Sequence, residues 1–129
     1  MRHRSSNPVP PGNIVKTFGN ALRGLKIAFR EERNIAIHLA VMVLSIALGF
    51  ALRISAREWM AVVLATGAVF AAELANTTIE NIADFIAPQW HESMQRIKDL
   101  AAAAVLVTAL AALAVGAIVF LPKLWVLVH

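Results

Sequence analysis

Long apolar runs without a charged side chain are the feature that most restricts the fold of this chain. They cover Ile35 to Leu52, Trp59 to Ala72 and Leu100 to Leu121. A helix of about 20 apolar residues crosses the hydrocarbon core of a bilayer, which is about 30 Å thick. Hydrophobic residues make up 59% of the chain and charged residues only 16%, which excludes an ordinary soluble domain. The runs therefore predict an all-α membrane protein with three transmembrane helices. These helices are predicted over about residues 33–52, 59–87 and 98–121.

The segment before the first span has a different pattern. Residues 1–13 are polar and Pro-rich and lack the apolar core of a signal peptide, so we expect a flexible cytosolic tail. Over residues 14–30, apolar residues recur at intervals of three and four, and most of the basic residues fall on another face. This pattern is typical of an amphipathic helix that lies on the membrane surface with its basic side toward the headgroups. Residues 14–129 are thus predicted to form one membrane domain, a surface helix followed by three spans.

The distribution of basic residues predicts the orientation in the membrane. Seven of the twelve Lys and Arg residues lie at or before Arg33. Lys and Arg are enriched in cytosolic segments, so the N-terminus and the loop over residues 88–99 are predicted to be cytosolic. The net charge of +4 is explained by this contact with the membrane, and no nucleic-acid partner is expected. The absence of cysteine excludes disulfides and thiolate metal sites.

A stripe of polar residues follows the second apolar run without a helix breaker. At 100° per residue, five side chains fall on one helix face. They are Glu73, Asn76, Thr77, Glu80 and Asp84. A carboxylate at the centre of a bilayer costs roughly 2.5–3.5 kcal/mol on insertion scales, so such a residue is a functional candidate. The predicted topology brings this stripe to the cytosolic interface together with Glu32 and Lys98. Three helices are few to shield it from lipid, so we expect a homo-oligomer.

Two kinds of chemistry suit this set of residues. Carboxylate and carboxamide oxygens could hold Mg²⁺ on the phosphates of a nucleotide, with Lys98 neutralising charge and another carboxylate taking a proton from a hydroxyl group. The same carboxylates could instead bind and relay protons or cations through a small helical bundle, as a non-enzymatic membrane protein would. Residue spacing alone leaves both possibilities open.

Several motifs resemble those of a known family. The first is Glu73-Leu-Ala-Asn76-Thr-Thr-Ile-Glu80-Asn-Ile-Ala-Asp84; it is followed by His91-Glu92, and then by Lys98-Asp99 with a run of alanines. Together they resemble the signature of the small prokaryotic lipid kinases, the diacylglycerol kinases and their undecaprenol kinase relatives. The resemblance covers about residues 14–120. The segment from Glu32 to His38, E-R-N-x-x-I-H, is more similar to the undecaprenol kinase branch.

The resemblance implies a homotrimeric lipid kinase of the bacterial inner membrane that uses ATP and Mg²⁺, with active sites between protomers at the cytosolic interface. Glu73 matches the proposed catalytic base, and Glu32 and Glu80 match the carboxylates that hold the metal bound with ATP. The residues expected around the nucleotide are Glu32, Asn76, Glu80, Lys98 and Asp99. The expected substrate is undecaprenol, with diacylglycerol as the alternative. Asp84, His38 and His91 are given no role.

Overall fold

Four helices make up the computed structural model, which describes residues 12–129. They are α1 (Ile14–Glu31), α2 (Arg33–Ala51), α3 (Ala56–Ile86) and α4 (Glu92–Val128). Of these, α2, α3 and α4 are long and apolar enough to cross a membrane. The predicted all-α membrane fold, one amphipathic helix followed by three spans, is therefore confirmed. The predicted N-terminal tail lies outside the described residues as far as residue 11. Asn13, its last residue, caps α1, because its side chain accepts a hydrogen bond of 3.1 Å from the Val15 amide.

Helix α1 joins the bundle only through its C-terminal end. Glu32 alone separates it from α2, with an extended backbone at φ −112° and ψ 110°. Ala28 is buried, and the ring of Phe29 packs against Phe70 of α3 with a centroid separation of 6.4 Å. Phe18, near the other end, is 66% exposed. This exposed apolar face is typical of a helix that dips into the membrane surface.

The spans are packed most closely where α2 passes into α3. Ile54, Val62, Val119 and Phe120 form a buried cluster there. Gly49 of α2 makes this packing possible, since a Cβ at that position would lie 2.6 Å from the indole ring of a tryptophan on α3. This cluster therefore joins α2, α3 and α4 near the connection between α2 and α3.

Helix α3 begins at Ala56, three residues before the predicted start at residue 59. The reason is a capping box, in which the Ser55 amide donates to Glu58 Oε2 at 2.6 Å and the Glu58 amide donates to Ser55 Oγ at 3.3 Å. Each bond satisfies a backbone donor that a helix start otherwise leaves unpaired. The predicted boundary was placed at Trp59, the first residue of the apolar run, and did not take this cap into account.

Helix α4 is longer at both ends than the predicted span over residues 98–121. His91 caps its start, since the Ser93 amide donates to His91 Nδ1 at 3.2 Å. The helix also continues through Pro122. A proline inside a helix removes one backbone hydrogen bond. Lys123, in the following turn, holds α4 against α3 through an ion pair with Glu58 at 3.3 Å.

Candidate functional site

Glu73 is the one charged side chain buried among those that the structure describes. It is 5% exposed, and its Oε1 lies 2.9 Å from Nε2 of His38 on α2. His38 is more accessible, with 24% of its side chain exposed. A buried carboxylate is tolerated when it is paired and hydrogen-bonded. The histidine that sequence analysis left without a role is thus the partner of the central carboxylate.

The pair lies close to the N-terminal end of α2, and α3 extends beyond it. At 1.5 Å per residue, His38 is about 8 Å from the start of α2, whereas Glu73 is about 20 Å from the end of α3. About the last two turns of α3 therefore project past the start of α2. Glu80 and Asp84 lie on this projecting part.

Asn76 and Glu80 follow Glu73 along the polar stripe of α3. Asn76 Nδ2 donates to Glu80 Oε1 at 3.2 Å, one turn apart on α3. Asn76 Oδ1 is fully buried, and no donor from residues 12–129 reaches it. An unpaired buried acceptor costs about 1–3 kcal/mol, so this oxygen is suited to an external donor or a cation.

Lys98 and Asp84 join the projecting end of α3 to the start of α4. Lys98 Nζ is hydrogen-bonded to Asp84 Oδ1, and 29% of the lysine and 65% of the aspartate side chain are exposed. Both line a small polar pocket of about 170 Å³ with His91 and Gln95. Asp99 has a different partner: its carboxylate accepts a hydrogen bond of 2.8 Å from Gln95 Nε2. Asp84 is therefore the residue that fixes the predicted nucleotide-binding lysine.

Glu32 is not brought into a cluster with these carboxylates within one chain. It is the single extended residue between α1 and α2, and its side chain makes no cap hydrogen bond to α2. Over residues 12–129, no group of three or more His, Cys, Asp or Glu side chains is arranged to hold a metal ion. The predicted metal ligands Glu32 and Glu80 are thus not part of a preformed metal cluster in this part of the chain.

An apolar cavity of about 630 Å³ lies between α2, α3 and α4. Apart from His38, the polar side chains among the described residues that line it are Ser45 and Thr66. Both hydroxyls donate to carbonyls of their own helices at 2.8 Å, so neither offers its hydrogen to an occupant. A molecule in this cavity would meet apolar walls and a single ionisable group, the imidazole that holds Glu73.

The model of the prokaryotic diacylglycerol kinase family matches residues 19–120 of this chain. The chain belongs to the prokaryotic diacylglycerol kinase family. It is 39% identical over 111 residues to undecaprenol kinase from Bacillus subtilis, covering 86% of this chain and 90% of that protein. It is 35% identical over 113 residues to a diacylglycerol kinase from Synechocystis, covering 87% of this chain and 65% of that protein. It is 27% identical over 99 residues to diacylglycerol kinase from Escherichia coli, covering 77% and 81%.

Membership of the diacylglycerol kinase family confirms the predicted lipid kinase class. An enzyme of this class transfers a phosphoryl group from ATP to a lipid, and the three apolar helices place this member of the family in a membrane. The sequence signal for His38 was its depth. It lies three residues inside the apolar run of α2, whereas Glu73 directly follows the apolar run of α3, and periodicity within one helix does not identify a partner on another.

Proposed function

We propose that this kinase phosphorylates undecaprenol to undecaprenyl phosphate, as a homotrimer in the bacterial inner membrane with its active sites on the cytosolic side. The observation that carries the proposal is the buried Glu73 carboxylate, bonded to the one ionisable residue on the wall of an apolar cavity. Such a cavity suits the hydrocarbon tail of a membrane alcohol. The relative from Bacillus subtilis, named undecaprenol kinase, supports the polyprenyl alcohol as the substrate.

Glu73 is proposed to take the proton of the lipid hydroxyl. The hydroxyl oxygen bonds to the γ-phosphorus of ATP, the bond from that phosphorus to the bridging oxygen breaks, and ADP leaves. Of the two carboxylate oxygens of Glu73, Oε1 is bonded to His38, and Oε2 accepts no hydrogen bond from the described residues. Oε2 is thus the oxygen left for the substrate proton.

Asn76 and Glu80 suit a magnesium ion that accompanies ATP. Mg²⁺ prefers oxygen ligands and is commonly held by one or two carboxylates together with substrate phosphates and water. Asn76 Oδ1 is a buried oxygen that receives no hydrogen bond from residues 12–129, and the amide nitrogen of the same side chain bonds to the Glu80 carboxylate. Glu32 is proposed as the second carboxylate. When bound, the ion supplies charge neutralisation on the phosphates.

Lys98 is proposed to bind the phosphates from the other side of the site, where Asp84 holds its ammonium group in place. A lysine acts on phosphates as a point charge, so its position matters more than its orientation. Asp99, held by Gln95, is proposed to contact the nucleotide. The trimer is proposed because one protomer leaves Glu32 without a carboxylate cluster and the polar stripe on α3 partly exposed.

A side-by-side phosphotransfer assay tests this proposal. The purified protein is reconstituted in lipid vesicles that contain undecaprenol or diacylglycerol, and transfer from γ-labelled ATP is measured with and without EDTA. The expected result is EDTA-sensitive transfer with a kcat/KM at least about 10-fold higher for undecaprenol, since a pocket that fits one tail discriminates by about 1–3 kcal/mol. Preference for diacylglycerol would overturn the substrate assignment. An ATP-independent ion flux with no labelled lipid would favour the ion-handling class.

A further inference from the structure

We infer that His38 is a positioning residue for the phosphotransfer reaction: its Nε2–H donates to Glu73 Oε1, fixes the carboxylate and leaves Oε2 for the lipid hydroxyl. This inference rests on the proposed role of Glu73 as the base. It concerns a residue that the sequence motif leaves without a role. The two side chains come from different helices, so their contact at 2.9 Å depends on the packing of α2 against α3.

The orientation of the Glu73 carboxylate has to be fixed by a neighbouring group. The terminal torsion of a glutamate side chain is broad, so the side chain alone does not fix its two oxygens. Asn76, one turn further along α3, directs its amide to Glu80 and offers no hydrogen bond to Glu73. Among the described residues, His38 is the side chain that donates a hydrogen bond to Glu73.

The same hydrogen bond compensates the Glu73 carboxylate for the water that it loses on burial. An ionised carboxyl group that is 5% exposed among apolar side chains is disfavoured unless a donor compensates for the lost water. The Nε2–H of the imidazole supplies such a donor. The His38 side chain is 24% exposed and lies on the wall of the apolar cavity.

Three substitutions at one position separate this role from simple packing. His38→Gln retains an amide N–H at about the reach of the imidazole Nε2, whereas His38→Asn carries the same amide one carbon nearer to the backbone. His38→Ala removes the donor altogether. The matched control is Thr108→Ala on α4, which removes a hydroxyl that bonds only to carbonyls of its own helix at 2.9 and 3.2 Å. Each variant is reconstituted in vesicles with undecaprenol, and kcat and KM are measured.

We expect His38→Ala and His38→Asn to lower kcat by about 10- to 100-fold, because misplacement of a catalytic group by about 1 Å can cost 100-fold. The KM values for ATP and for undecaprenol should stay within about 2-fold of wild type, since the interaction acts on the reacting step and not on binding. His38→Gln should recover most of the lost rate. Thr108→Ala should have the wild-type kcat.

The outcomes distinguish this inference from the proposed function. If wild type transfers no phosphate, or if Glu73→Gln is as active as wild type, the proposed function fails. If wild type is active and Glu73→Gln is not, a wild-type kcat in His38→Ala overturns the positioning role. Equal rates for His38→Gln and His38→Asn overturn it as well, and this comparison still decides the matter if the alanine variant does not fold. A comparable loss in Thr108→Ala would show a general effect of substitution in the membrane.

Discussion

Replacing both His38 and Glu73 by leucine should make the protein more stable and abolish phosphotransfer. Taking a carboxylate out of water costs several kcal/mol, and a single hydrogen bond of 2.9 Å returns only part of that cost. Replacement of a buried ion pair by apolar side chains is commonly neutral or stabilising by about 1–4 kcal/mol. Because 24% of the His38 side chain is exposed, we expect the lower half of this range, about 1–2 kcal/mol.

Thermal unfolding in one detergent measures this effect. A gain of about 1–2 kcal/mol corresponds to a rise in Tm of about 3–10 °C for a chain of this length. The single variant His38→Leu should instead be less stable than wild type by about 3 kcal/mol, since it leaves a buried carboxylate without its donor. The change in stability relative to wild type should therefore reverse from a loss to a gain when Glu73→Leu is added to His38→Leu. A double variant that melts well below wild type would show that the pair holds the helices together and would refute its assignment to function.

Other predictions concern the packing, the cap and the lysine. Gly49→Ala should lower stability by about 1–3 kcal/mol in thermal unfolding, because its Cβ would overlap an indole ring. Gly67→Ala should instead raise stability by about 0.5–1 kcal/mol, since a Cβ there meets no atom within 4 Å. Ser55→Ala should cost about 1 kcal/mol in the same assay, as expected for a lost N-cap, and an unchanged Tm would argue against the capping box. Lys98→Met should lower kcat/KM for ATP by about 10- to 100-fold through the loss of a charged contact worth about 1.5–3 kcal/mol. Asp84→Asn should lower it less than 10-fold, because an exposed ion pair contributes under about 1 kcal/mol; equal losses in steady-state kinetics would contradict this order.

The number and order of helices follow from the sequence because the bilayer imposes one requirement on each span. A backbone that crosses hydrocarbon must satisfy its own hydrogen bonds, so every long apolar run is expected to be helical. Helix ends depend on individual side chains. The Ser55 and Glu58 pair is a recognisable capping signal that moves the start of α3, and the helix through Pro122 shows that a proline does not always end a span.

The candidate site could be predicted in part. Helical periodicity places Glu73, Asn76 and Glu80 on one face, and the hydrogen bond from Asn76 to Glu80 follows from their spacing of four residues. Contacts between helices depend on the rotation and depth of each helix, which a pattern within one helix does not specify. For this reason the partners His38 and Asp84 become apparent only when α2, α3 and α4 are packed together.

The proposed role of Glu73 as the base is tested most directly by the kcat of Glu73→Gln with undecaprenol and ATP. Glutamine has nearly the same shape and retains an oxygen that can accept the hydrogen bond from His38, but it cannot take up the substrate proton. We predict a fall in kcat of about 10²- to 10⁴-fold, the usual contribution of general base catalysis, in a protein whose oligomeric mass and Tm match wild type. A kcat close to wild type in the intact variant would contradict it.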